Sequence, residues 1–196
     1  MPRRQRLRLD GRRESFFRRT RQLRRGKFPG LSGLRPATIQ AAAEASLRRL
    51  QTDRIDLYYA HSDDPDVPLV ETLRAFDALV RQGKVRYLAA SNYSAERLGE
   101  ALAISRREGL ARFVALQPHY NLVDRSGYEG ALADLCVRER LACFPYFALA
   151  SGFLTGKYRG VATVDSPRAK GASAYLDVRG LRVLEALDRV AQRTSG

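Results

Sequence analysis

Between residues 36 and 190 the chain alternates short apolar runs with longer stretches of helical period, and no hairpin signal joins one run to the next. The runs are "IDLYYAH" at 55–61, "VRYLAASN" at 85–92, "RFVALQ" at 112–117 and "LACFPY" at 141–146. Strands that are not joined by tight turns must run parallel, each pair bridged by a crossover that is usually a helix. The runs are apolar nearly throughout, as strands covered on both faces are. The intervening segments supply the covers. "PATIQAAAEASLRRL" places Pro36 in a first helical turn with Ile39, Ala43, Leu47 and Leu50 along one side. "LVETLRAFDALVRQG" turns Leu69, Leu73, Phe76 and Val80 inward and stops at Gly83. Ser94 caps a helix with Leu98, Ala101 and Leu102 on one side, helical spacing recurs at 128–140, and a last helix carries Leu181, Leu184, Leu187 and Val190 as its stripe.

Two architectures accept four such units: an open doubly wound sheet, or part of a (β/α)8 barrel. No strand is followed by G-x-G-x-x-G, the dinucleotide fingerprint of the open sheet. What recurs instead is a polar or aromatic residue at each strand's C-terminal end: His61, Ser91 with Asn92, Gln117, and Tyr146. Barrel enzymes place their chemistry at that face. The expected fold class is therefore α/β, a partial (β/α)8 TIM barrel of about four βα units.

The net charge of +14 would ordinarily point to nucleic acid, but its distribution does not. Residues 1–27 hold 12 Lys and Arg against Asp10 and Glu14, leaving 23 basic and 19 acidic residues in the remainder. The excess sits on residues 1–30, an arginine-rich leader with no sustained period, read as disordered or as non-native coding sequence, with a basic arm for nucleic acid or anionic lipid as the other reading. Residues 31–196 form the domain. Two cysteines, Cys136 and Cys143, are too few for a disulfide scaffold and fit a reducing, cytoplasmic setting. No secretory signal or membrane-spanning run is present. No metal site is expected: Asp63, Asp64 and Asp66 read as a solvated loop, with no further carboxylate or histidine spaced to close a site.

"SLRRLQTDRIDLYYAH", "GKVRYLAASNYS", "ALQPHYNLVDR" and "PYFALASGFLTGKYRG" together resemble the aldo-keto reductase family, in that family's order, over about residues 31–190. The resemblance implies a (β/α)8 barrel that uses NADP(H) to reduce aldehydes and ketones. By it, His61 is the catalytic-site histidine that orients the substrate carbonyl. Ser91, Asn92 and Gln117 bind the nicotinamide carboxamide, and Tyr146 is the ring on which the nicotinamide stacks. Residues 147–157, with Leu149, Ser151 and Lys157, match the loop over the cofactor pyrophosphate, although Phe147 and Ala148 depart from the family's usual Ser-Pro. Paired donors and acceptors on rigid strand ends suit an amide-bearing ligand, and a ring beneath it fixes the face presented. His119 has no matched role and reads as structural or surface.

The family's proton donor, a tyrosine activated by a lysine that pairs with an aspartate, comes from strands upstream of the histidine strand. That territory is here the arginine-rich leader. Tyr59 shares a side with His61 but lies deeper along the strand, as core, and Lys27 stands only loosely at the lysine's place because "RRTRQLRRG" does not read as a buried strand. The matched segments correspond to family strands four to seven, so a truncated chain with impaired or absent turnover is expected. Three functional readings follow: an NADP-linked carbonyl oxidoreductase by lineage, a non-catalytic nicotinamide-binding or regulatory module, and a basic-arm nucleic-acid binder. The expected partner is a small carbonyl compound, not a membrane or nucleic acid. Open sheet edges would favour an unstable, aggregation-prone fragment, or else admit pairing of two copies as a homodimer.

Overall fold

The computed structural model describes residues 20–22, 33–159 and 168–194. The chain divides into two compact units, residues 1–116 and 117–196. In the first, β1 (Thr20–Gln22), β2 (Ile55–Ala60), β3 (Val85–Ser91) and β4 (Phe113–Gln117, which ends at the boundary) lie side by side in chain order. Helices α1 (Pro36–Leu50), α2 (Leu69–Arg81) and α3 (Ala95–Glu108) intervene. The β1–β2 and β2–β3 ladders are both parallel, the second running from Ile55 opposite Val85 to Ala60 opposite Ala90. This is the parallel α/β alternation of a (β/α)8 barrel, taken in part.

All six residues of β2 are buried, as a strand covered on both faces requires. An edge-to-face chain of rings runs through the core: Tyr58 on Phe76 at 5.7 Å, Phe76 on Phe113 at 6.2 Å, and Phe113 on Tyr93 at 5.8 Å. Such pairs add about 0.5–1.5 kcal/mol each beyond the area they bury. Most predicted helix faces are the observed ones. In α2, however, Leu79 is buried where Val80 was expected to point inward, and Val80 is only half-buried. The helix ends as the sequence suggests: the Lys84 amide reaches back to the Leu79 carbonyl, and Gly83 takes the left-handed turn at φ 71°. Ser94 caps α3 as expected, accepting from the Arg97 amide at 3.2 Å.

Two expectations are corrected in this unit. Three residues of the stretch read as an unstructured leader, Thr20–Gln22, form a strand paired with Leu57–Tyr59. Parallel backbone pairing to a buried neighbour overrides the lack of local period. Lys27 and the rest of that stretch lie outside the described residues. The acidic loop after β2 is not simply solvated. Asp64 is buried and accepts from the Leu34 amide at 2.8 Å and the Asp66 amide at 3.3 Å. Asp63 pairs with Arg97 at 2.9 Å. Gly33, at φ 87°, makes the close approach possible, since a Cβ there would meet Asp64 Oδ2 at 2.5 Å.

The second unit holds α4 (Ala131–Arg138), β5 (Ala142–Cys143), a 3₁₀ turn (Ala150–Thr155), α5 (Ala169–Ser173) and α6 (Val178–Thr194). The expected six-residue strand "LACFPY" shrinks to two residues, with Tyr146 returning as an isolated parallel bridge to His119. Pro145 between them has no amide to give a ladder. The core gathers Val123, Ala150, Phe153, Tyr158, Ala172 and Leu184. The α6 stripe is only partly covered: Leu184 is buried, whereas Leu181 and Val190 are exposed among the described residues. Gly180 seats α6 on this core. A Cβ there would lie 2.0 Å from the Tyr175 carbonyl oxygen and 2.9 Å from the Phe153 ring.

Two substitutions test these anchors by denaturant unfolding. Asp64→Ala strands the buried Leu34 amide and should lower stability by about 1–3 kcal/mol, against a change within about 0.5 kcal/mol for the exposed Asp66→Ala. Gly180→Ala should destabilise by more than about 2 kcal/mol, because the obstacle is backbone rather than a movable side-chain tip.

Candidate functional site

The first unit brings His61, Ser91 and Asn92 together. Residues 61 and 91 stand at corresponding C-terminal ends of adjacent parallel strands, so the ladder register alone makes them neighbours. Asn92 turns the chain out of β3 with φ 57°, a left-handed conformation that asparagine tolerates better than most residues. From there its Nδ2 donates to the His61 carbonyl at 2.7 Å and to Ser91 Oγ at 3.1 Å. The side chain thus ties the two strand tips. Ser91 is buried, and His61 is half-buried.

Charged groups flank this cluster. Arg97 bonds Asp63 and Glu100, both at 2.9 Å. Burial works against its charge, but these two carboxylates outweigh that and hold its guanidinium pKa above the ordinary value. Tyr93 is buried, its hydroxyl pushed well above the usual phenol range by burial and then by the negative charge of Asp63. On β2, burial raises Tyr59 to about 12. Tyr59 is core, as expected.

The second unit carries the remaining candidates. Gln117 closes β4 and is half-buried. One residue on, the Pro118 carbonyl accepts from the Tyr146 amide at 2.9 Å, which sets Tyr146 beside the strand end. After Tyr146 the backbone enters the left-handed region repeatedly, at Phe147 (φ 59°), Ala150 (47°), Ser151 (57°) and Gly152 (94°). The turns are closed by the segment's own amides, Ala150 donating to the Phe147 carbonyl at 2.7 Å and Gly152 to the Leu149 carbonyl at 2.8 Å. Within the segment Leu149 is exposed and Ser151 half-buried, the latter under Gly171, whose missing Cβ would sit 2.9 Å from Ser151 Oγ. Lys157 is exposed, with its Nζ 4.9 Å from the Tyr158 ring centre.

Four residues that the sequence left without a role complete this region. Asn121 Oδ1 accepts from the Val123 and Asp124 amides, each at 2.9 Å, while its Nδ2 donates to the Phe147 carbonyl at 3.1 Å and to Asp124 Oδ2 at 3.2 Å. The Tyr175 hydroxyl donates to Asp124 Oδ2 at 2.6 Å, and His119 Nε2 lies 3.2 Å from the same oxygen. Burial opposes the Asp124 charge, but Tyr175, Asn121 and the His119 and Arg179 charges prevail and hold its carboxyl below the usual range. The available signal was "NLVD", an asparagine followed by the turn amides it can bind. The partners 51 residues away are not visible in any local pattern.

Among the described residues no group of three or more His, Cys, Asp or Glu could hold a metal ion, and no helix is long and apolar enough to cross a membrane. A family profile described as the Aldo/keto reductase family matches residues 6–195. A probable voltage-gated potassium channel subunit beta of Arabidopsis thaliana is 33% identical over 172 residues, 87% of this chain and 51% of that protein. An aldo-keto reductase of Alternaria alternata is 36% identical over 160 residues, 82% of this chain and 43% of its own length. An aflatoxin B1 aldehyde reductase member 2 of Rattus norvegicus is 37% identical over 127 residues, 64% and 34% respectively. The chain spans about a third to a half of the length of the curated relatives it matches. A match of this extent to the family profile, on a parallel α/β framework with the expected strand ends, makes the chain a member of the aldo-keto reductase family.

Proposed function

We propose that the chain binds NADP(H), with Ser91, Asn92 and Gln117 as contacts for the nicotinamide carboxamide, Tyr146 as the stacking ring, and Leu149, Ser151 and Lys157 on the loop that receives the pyrophosphate. The observation that carries this reading is the Asn92 geometry: a left-handed turn whose side chain fixes the histidine strand to its neighbour through bonds of 2.7 and 3.1 Å. Strained backbone of this kind is retained where a site depends on it. The donor set suits the ligand, since hydroxyl and amide groups match a carboxamide and the exposed Lys157 ammonium matches a phosphate.

When bound, the cofactor supplies a hydride for the carbon of an aldehyde or ketone. His61 holds the carbonyl oxygen in line for that transfer. Protonation of the oxygen needs an acid, and Tyr59, the substitute considered among the described residues, is buried in the core rather than open to a substrate. Loss of general acid catalysis typically costs about 10²–10⁴ in rate. We therefore infer that the chain by itself has the family's cofactor chemistry but little turnover.

A second reading, a nicotinamide-binding regulatory module, is favoured by the relatives from Arabidopsis thaliana and Oryza sativa whose names describe potassium channel beta subunits. The two readings share the cofactor and part at turnover.

NADPH fluorescence titration, followed by NADPH oxidation with 4-nitrobenzaldehyde, tests both. Saturable binding is expected, and Tyr146→Ala should weaken it by roughly 5- to 100-fold, the range for loss of a stacking ring. His61→Ala should leave affinity within about twofold while abolishing any residual oxidation above the uncatalysed rate. Absence of saturable binding in the unaltered protein contradicts both readings, and turnover at the rate of a complete family member contradicts the inferred lack of an acid.

A further inference from the structure

An aromatic ring offers two faces to a ligand, and in this chain one face of Tyr146 is already taken. The His119 imidazole stacks on it with ring centres 5.2 Å apart and planes only 19° from parallel. Phe147 stands beside the pair, 5.4 Å from His119 and 5.5 Å from Tyr146, tilted by 60° and 57°. The three rings therefore form a triangle with His119 and Phe147 on two of its corners, which limits how Tyr146 can move toward either.

The imidazole is not loosely laid there. It is 42% exposed, so burial alone does not hold it. Its Nε2 lies 3.2 Å from Asp124 Oδ2, and that oxygen is fixed in turn by the Tyr175 hydroxyl at 2.6 Å and Asn121 Nδ2 at 3.2 Å. Tyr175 packs on Phe153, 5.8 Å between ring centres, inside the core of the second unit. Phe147 is fixed through its backbone, whose carbonyl accepts from Asn121 Nδ2 at 3.1 Å and from the Ala150 amide at 2.7 Å, while the residue sits at φ 59°. One turn, residues 121–124, thus anchors both rings that flank Tyr146.

We propose that His119 is a positioning residue for cofactor binding: anchored by Asp124, it backs the Tyr146 ring, fixes its plane, and leaves only the opposite face for a planar heteroaromatic ligand such as nicotinamide. This rests on the reading of Tyr146 as the stacking ring. It assigns a role to a histidine that the family resemblance leaves without one. An imidazole that merely covered surface would need neither the near-parallel plane nor the carboxylate behind it.

A double-mutant cycle on the full chain tests the proposal, with the NADPH dissociation constant as readout and thermal midpoints recorded for each variant. His119→Ala should raise the constant about two- to tenfold, the range for one aromatic pair. His119→Phe, which keeps a flat ring at the same place, should restore it to within about twofold. Because His119 acts through Tyr146, His119→Ala should add less than about twofold in a Tyr146→Ala background. Equal effects of His119→Ala in both backgrounds, or no effect in the unaltered one, overturn the proposal while leaving the cofactor reading intact. Loss of binding that His119→Phe fails to restore also overturns it. If Tyr146→Ala itself leaves NADPH affinity unchanged, the stacking reading fails and the proposal with it.

Discussion

Parallel pairing of β2 with β3 is the constraint on which the first unit's candidate site depends. A parallel ladder puts the C-terminal ends of neighbouring strands at the same edge, so His61 and Ser91 become neighbours without any contact of their own being required. Asn92 then converts adjacency into a fixed arrangement by bonding the His61 carbonyl from a left-handed turn. Side chains on strand ends are held more precisely than side chains on loops, which is why this edge is the one barrels use for chemistry.

The framework was legible in the sequence because it follows from period and burial, which are local. "IDLYYA" reads as a strand covered on both faces, and all six of its residues are buried. Leu98, Ala101 and Leu102 read as one helix face and are one. What escaped was set by partners distant in the chain. Thr20–Gln22 has no strand-like pattern and becomes a strand through its neighbour β2. Asp64 looked like one of three solvated carboxylates until residue 34, thirty positions upstream, brought its amide to it. "LACFPY" had the composition of a strand, yet only Ala142 and Cys143 form one.

The same division applies to the candidate site. Ser91, Asn92 and Gln117 were singled out by their position at the ends of strands, which needs no tertiary information, whereas Tyr146 lies beyond the two-residue β5 and meets the sheet as an isolated bridge to His119. His119, Asn121, Asp124 and Tyr175 were not, because a network joining residues 119–124 to residue 175 leaves no periodic trace. That network is electrostatic in character. Asp124 stays charged because its hydrogen-bond donors outweigh its burial, and its depressed carboxyl pKa means this contribution to stability is present above the unfolded-state pKa and lost as pH falls through the folded value.

The central proposal for this member of the family is that its strand-end residues receive a nicotinamide ligand. Amide NMR spectra of the chain titrated with NADP+ test this most directly, because they report the place of binding rather than its consequences. The account predicts saturable shifts at Ser91, Asn92, Gln117 and residues 146–151, with the helix interiors undisturbed. Shifts confined to other residues, or none at saturating NADP+, would contradict it.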